Sequence, residues 1–263
     1  MVFTKRFVSM LLTSLLALLL ALSVTPFALA EQSTTEVDLS PLDRFTGAKI
    51  PEVTTVTSFP GSWHTWKNWH FLGGTDTAIP QGIVVMIKDD SLYIGEVVDG
   101  LPHGMGARYD LVLGGRKYYC GGFDGGKVSG HGILYNAGGT RFEGEFFNGE
   151  FDGIYDCVHV GRARQAQYSN GQFESWIGGD SDAQPRWAML RNAKNGKVLG
   201  EFYGDNHSGW CAYIRNDGIV CIGLYGTDGK WQEGSYVFGS LFPSKNMTDV
   251  LYDVFPPFEF GED

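Results

Sequence analysis

The stretch Tyr93-Ile-Gly95-Glu96-Val97-Val-Asp-Gly100-Leu-Pro-His103-Gly104-Met-Gly106 decides how this chain is read, because the chain says it again twice. Tyr119-Cys-Gly121-Gly122-Phe123-Asp-Gly-Gly126-Lys-Val-Ser129-Gly130-His-Gly132 starts 26 residues later, and Phe142-Glu-Gly144-Glu145-Phe146-Phe-Asn-Gly149-Glu-Phe-Asp152-Gly153-Ile-Tyr155 a further 23. A fixed period in this range signals a repeat architecture. Each copy opens with alternation. Tyr93, Gly95 and Val97 belong to one face of a strand, Ile94, Glu96 and Val98 to the other. The same face carries Tyr119, Gly121, Phe123 and then Phe142, Gly144, Phe146.

The pattern is large–Gly–large. A glycine between two bulky groups lets a neighbouring ring lie against backbone. The second half of each copy is short, starts at a glycine suited to positive φ and ends in apolar or aromatic residues. Each copy therefore predicts a β-hairpin, and the series predicts an all-β antiparallel meander in one elongated sheet. Seventeen of the 37 glycines fall within residues 93–156, a clustering that assigns them to turns and packing and not to a flexible linker.

The pattern Tyr-x-Gly-Glu-(Trp/Phe)-x-x-Gly-x-x-His-Gly-x-Gly resembles the MORN (membrane occupation and recognition nexus) repeat. Tyr93, Gly95, Glu96, Gly100, His103, Gly104 and Gly106 match it, with Val97 at the aromatic place. The second copy departs at Gly122 and Ser129, the third at Asp152 and Tyr155. The pattern returns at Val198-Leu-Gly200-Glu201-Phe202, with Ser208-Gly209 at the His-Gly place, and at Cys221-Ile-Gly223-Leu-Tyr225. The resemblance implies a scaffold for protein–protein or membrane-proximal assembly. It is clear over residues 93–158, eroded over 159–197 and weaker over 198–238.

The flanks read differently. Residues 1–30 form a signal peptide: Lys5 and Arg6 precede an apolar run from Phe7 to Val24, and Ala28-Leu29-Ala30 offers a cleavage site. Export to the periplasm or outside follows, or tethering if the signal is retained; no second apolar span appears in the mature chain. Residues 31–80 are a polar leader followed by a Trp-rich end, residues 81–240 the repeat sheet, and residues 241–263 a C-terminal cap. In that cap Met247, Val250, Leu251 and Val254 have helical spacing before Pro256-Pro257.

The Trp-rich end holds Trp63, Trp66 and Trp69. Burial as a cap on the first hairpin is the commoner use of such rings. The alternative is a carbohydrate or cell-envelope binding platform made by these three residues. The net charge of −10, more acidic still once Lys5 and Arg6 are removed, excludes a nucleic-acid partner and disfavours anionic membrane surfaces.

No residue pattern here specifies catalysis, a cofactor or a metal. Glu96, Glu145 and Glu201 recur at one repeat position, which points to strand-to-turn contacts and not to an acid/base pair. His103 is also a repeat residue. No nucleophile elbow, His-Glu-x-x-His or phosphate loop is present. Gly178-Gly-Asp180-Ser-Asp182 has too few oxygen ligands for calcium. Four cysteines in an exported chain suggest disulfides. Cys211 and Cys221 are symmetric about Asn216 and are expected to face each other across a hairpin as the one bridge, while Cys120 and Cys157 lie too far apart. The expected function is a non-catalytic scaffold or interaction module whose partner is a protein or an envelope component.

Overall fold

The computed structural model describes residues 37–46, 63–74 and 78–241, apart from positions 114, 185, 194, 204 and 205. The signal segment and the expected C-terminal helix lie outside the described residues. What is described is all-β apart from one helical turn, Ser40–Leu42 continuing as Asp43–Thr46. The first sheet contains β1 (His64–Trp66), β2 (Trp69–Gly73), β3 (Gly82–Lys88), β4 (Ser91–Val98), β5 (Leu101–Val112), β6 (Gly115–Asp124), β7 (Lys127–Tyr135), β8 (Arg141–Phe147), β9 (Glu150–Phe151), β10 (Gly153–His159), β11 (Arg162–Ser169), β12 (Gln172–Trp176) and β13 (Ser181–Asp182). The second contains β14 (Trp187–Ala193), β15 (Gly196–Tyr203), β16 (Asn206–Arg215), β17 (Ile219–Tyr225) and β18 (Trp231–Ser240). Along the main path strands follow chain order and pair antiparallel, with the two-residue strands β9 and β13 pairing β8 and β11 beside it, so both sheets are meanders.

One elongated sheet was expected and two are found. The copies starting at Val198 and Cys221 lie in β15 and β17 of the second, five-stranded sheet. The physical reason lies in the eroded stretch between them. Every residue of β12 is exposed, so the first sheet has no buried face left to extend there. Beyond it, Leu199, Ala212, Ile214 and Ile222 build a new apolar face, which is covered by the apolar face of the first sheet.

That covering is written in the repeat. The outward face of the first sheet carries the large–Gly–large residues Tyr93, Val97, Tyr119, Phe123 and Phe146. The outward face of the second carries Val198, Phe202 and Tyr225. The alternate positions Leu92, Ile94, Tyr118 and Cys120 face inward and meet Leu199, Trp210 and Ile222. Tyr118 ties the layers together, its buried hydroxyl 3.1 Å from the Trp210 carbonyl and 3.3 Å from that of Leu199.

A bulge recurs at the same repeat place: the register shifts between Gly95 and Val97, Gly121 and Phe123, Gly200 and Phe202, and Gly223 and Tyr225. Such an insertion leaves backbone groups off the ladder. Repeat side chains serve them. The Tyr93 hydroxyl donates to the Glu96 carbonyl at 2.6 Å, and Tyr119 does the same to Gly122 at 2.8 Å. Glu96 accepts from the Met105 amide at 3.1 Å, and Glu201 from the Trp210 amide at 3.0 Å. At these two copies the recurring glutamate therefore makes a strand-to-strand contact at the bulge, not the strand-to-turn contact expected.

The third copy departs from the pattern in a compensated way. Tyr93 and Tyr119 lie over Gly106 and Gly132, where an added Cβ would come within 2.5 and 2.7 Å of the ring and hydroxyl atoms. In the third copy Phe142 has no hydroxyl, and Tyr155 occupies the last glycine place. Tyr155 reaches back from the opposite strand, lies over Gly144 (2.7 Å from a Cβ there) and donates to the Glu145 carbonyl. The same carbonyl position is served from the other side.

The expected bridge is not found. The hairpin of β16 and β17 pairs Tyr213 with Cys221 and Cys211 with Gly223, so its centre is Asp217, not Asn216. The one-residue shift of centre makes the two cysteines diagonal, and all four cysteines are free and buried.

Candidate functional site

Where the inter-sheet core ends, charged groups replace apolar ones. Position for position, Leu92 and Ile94 of the first copy and Tyr118 and Cys120 of the second become Arg141 and Glu143 in the third. Arg141 is clamped between two carboxylates. Its Nε lies 2.6 Å from Glu201 Oε1 on the facing sheet, and its Nη1 2.8 Å from Glu143 Oε2 on its own strand. Glu201 is fully buried and also accepts from the Tyr135 hydroxyl at 2.6 Å and the Trp210 amide at 3.0 Å. Glu143 accepts from the Trp210 indole Nε1 at 3.2 Å, and His131 lies 3.5 Å from Glu143 and 3.2 Å from Glu145.

The network has a defined charge state. Partial burial pushes the Glu143 carboxyl up, but the Arg141 guanidinium, the Trp210 indole and His131 override it and hold it below the usual carboxylate range. Burial opposes the charge on Arg141, and Glu201 with Glu143 more than restores it. Burial and the Glu201 charge push the Tyr135 phenol up, so it remains a hydrogen-bond donor. Burial also pushes Cys120 up to about 12, which leaves it an inert thiol. These groups are set to donate and accept hydrogen bonds.

Two crevices flank the network and share Glu143 and Leu224 in their walls. One, of about 710 Å3, is lined by Tyr135, Arg141, Val158, His159, Gln184 and Arg186 among others. The second, of about 690 Å3, is lined by Met105, Gly122, Phe123, Ser129, His131 and Trp210 among others. Both volumes fall in the usual range of small-molecule sites, about 300–1,000 Å3. Repeat geometry makes the space: Gly122, Glu201 and Leu224 all occupy the bulged repeat position.

The residues singled out in the sequence lie elsewhere. Trp63 is buried in the inter-sheet core, and its Nε1 donates to the Asp38 carbonyl at 3.0 Å. Trp66 and Trp69 are half-buried and pack against the outward aromatic cluster. The three rings thus belong to two different faces. Trp66 fits over Gly100, where a Cβ would meet it at 2.4 Å. Asp180 and Asp182 are engaged by Arg162 at 2.9 and 2.7 Å, and Arg164 joins Asp180 at 3.1 Å.

Arg141 and Glu143 were missed by reading each copy for what it shares with the others. The signal was there in the differences, as an inward apolar pair turned charged. The partner, Glu201, lies 60 residues away from Arg141 and is joined to it only by the layering of the sheets.

In comparisons with known proteins, no family model matches the chain, and no curated protein is similar to it. Among the described residues no helix is long and apolar enough to cross a membrane, and no cluster of His, Cys, Asp and Glu has the makings of a metal site.

Proposed function

We propose that this protein is an exported, non-catalytic interaction module in which MORN-type repeats build a rigid scaffold. In this reading the Trp63 hairpin caps the apolar end of the sheet, and the opposite end meets a protein partner. The observation that carries it is the uncovered end of the first sheet. No residue of β10, β11 or β12 belongs to the inter-sheet core. The outward aromatic ladder runs along the sheet from Tyr93 through Phe123, Tyr119, Phe146, Tyr155 and Tyr168, and ends on Phe173 and Trp176. Those last two rings are 48 and 51 % exposed, 5.2 Å apart, on an edge strand exposed throughout. An open edge with exposed aromatics suits strand addition by a partner, with backbone hydrogen bonds for affinity and ring contacts for specificity.

A photo-crosslinking phenylalanine analogue at Phe173, with Leu113 as an exposed control, tests this in the native host. One defined protein adduct at position 173 that is absent at 113, and reduced by Trp176→Ala at unchanged melting temperature, is the expected result. Equal labelling at both positions, or none at either, would refute the proposal.

A further inference from the structure

We infer that the cleft between the two sheets binds a neutral, polyhydroxylated ligand, a short saccharide chain, across Glu143. This site is separate from the partner surface at β12 and stands whether or not that surface is used.

The charge arrangement selects the ligand class. The larger lobe is lined by an exposed edge of the Glu143 carboxylate and by the Arg186 guanidinium. Glu143 is 28 % exposed. Arg186 is half-buried, with Nη1 directed to the Ser208 carbonyl at 3.3 Å. Behind them Arg141 bridges Glu201 and Glu143, so its charge is already engaged by two carboxylates. A simple anion entering this lobe meets Glu143, and a simple cation meets Arg186. A neutral polyol satisfies both, because each hydroxyl donates and accepts.

The walls agree with that choice. Val158, Val160 and Leu224 give apolar surface in the first lobe, and Met105, Phe123 and Trp210 in the second. Sugars need such alternation, since their C–H faces are apolar and their edges polar. Two lobes meeting at one carboxylate suit a ligand longer than one ring. The polar side chains that point the way are themselves held: Glu143 is fixed by Arg141 and the Trp210 indole, so little side-chain entropy is lost on binding.

The test uses the full mature chain, with cellotetraose, chitotetraose and maltotetraose as neutral probes and tetragalacturonate and tetralysine as charged ones. Binding is read by calorimetry and by tryptophan fluorescence, because Trp210 sits in the wall. Gln184→Trp fills the first lobe from an exposed position and Ser129→Trp the second; neither touches the network. Glu143→Gln keeps the shape and removes the charge. The expected result is saturable binding of at least one neutral probe, weakened about tenfold or more by each of the three substitutions, with the melting temperature unchanged in the two lobe-filling variants and the fold retained in Glu143→Gln at a lower one. Four results would overturn the inference: no neutral probe binds; a charged probe binds more tightly than every neutral one; binding survives both lobe-filling variants; or it is lost only in Trp66→Ala, which would move the site to the N-terminal hairpin. Should a lobe-filling variant unfold, the wild-type probe ranking and the isosteric Glu143→Gln still decide.

Discussion

Replacing Arg141 by methionine probes whether the charged end of the sandwich is a latch between the sheets. The substitution keeps an unbranched stem as far as the Nε position and removes the rest of the guanidinium with its charge. It leaves Glu201, with no exposed surface, holding the Tyr135 hydroxyl and the Trp210 amide without the Arg141 guanidinium. Breaking one side of a buried ion pair costs ~3–5 kcal/mol, because the remaining charge stays buried. For a domain of this size each kcal/mol lowers the melting temperature by about 2–4 °C, so a fall of roughly 6–20 °C is expected. The second replacement, Glu201→Leu on top of Arg141→Met, removes the stranded charge. Replacing both partners of such a pair by apolar groups is often close to neutral, so the double variant is expected to be more stable than Arg141→Met alone. Guanidinium denaturation of the four proteins in the cycle supplies the coupling. A single-variant loss under ~1 kcal/mol, or a double variant no better than the single, would refute the latch.

Other outcomes follow from the same structure. Glu96 occupies the repeat position of Glu201 but keeps part of its surface in solvent, so Glu96→Ala, which removes the acceptor, is expected to cost only ~1 kcal/mol, the worth of its bond to Met105, by the same denaturation assay. Gly144→Ala places a methyl 2.7 Å from the Tyr155 ring and 2.8 Å from the Ile154 carbonyl, and is expected to destabilise by ~1–3 kcal/mol. Tyr155→Phe, which loses both the donated bond to Glu145 and the accepted one from Asp152, is expected to cost ~1–2 kcal/mol in the same assay. All four thiols should react with Ellman's reagent only after unfolding; two fast-reacting thiols, or two missing ones, would contradict their burial as free groups. Burial raises Cys120 to about 12 and Cys157 to about 11. Raised folded-state values favour the neutral thiol, so their stabilisation is complete below the ordinary thiol pKa of about 9 and is lost as pH climbs from there towards 12. Denaturation midpoints should therefore fall as pH rises from ~9 towards ~12, with each pKa unit at fully buried Cys120 worth about 1.4 kcal/mol. Glu143 acts in the opposite sense: its lowered value gives stability above the usual carboxylate range that disappears as pH falls through it.

The sequence by itself determined the local design. Tyr93, Gly95 and Val97, set beside Tyr119, Gly121 and Phe123, specify strands, the face each residue takes and the glycine on which a ring lies, because side-chain alternation and steric room act over neighbouring residues. The all-β antiparallel meander was legible for that reason. Tertiary structure decided what the alternate face does. Ile94 and Cys120 could have faced solvent, or a partner, as well as a second sheet; only the folding back of the Val198 and Cys221 copies shows that they face Leu199 and Ile222. It also decided the charge network, since Arg141 and Glu201 have no relation along the chain. The cysteine pairing failed on a smaller scale for the same kind of reason. A one-residue shift in the centre of a turn leaves local spacing unchanged and moves every cross-strand partner by two. Spacing governs what a residue can do within its strand, whereas layer packing and register, which join distant strands through buried area, settle which residues meet.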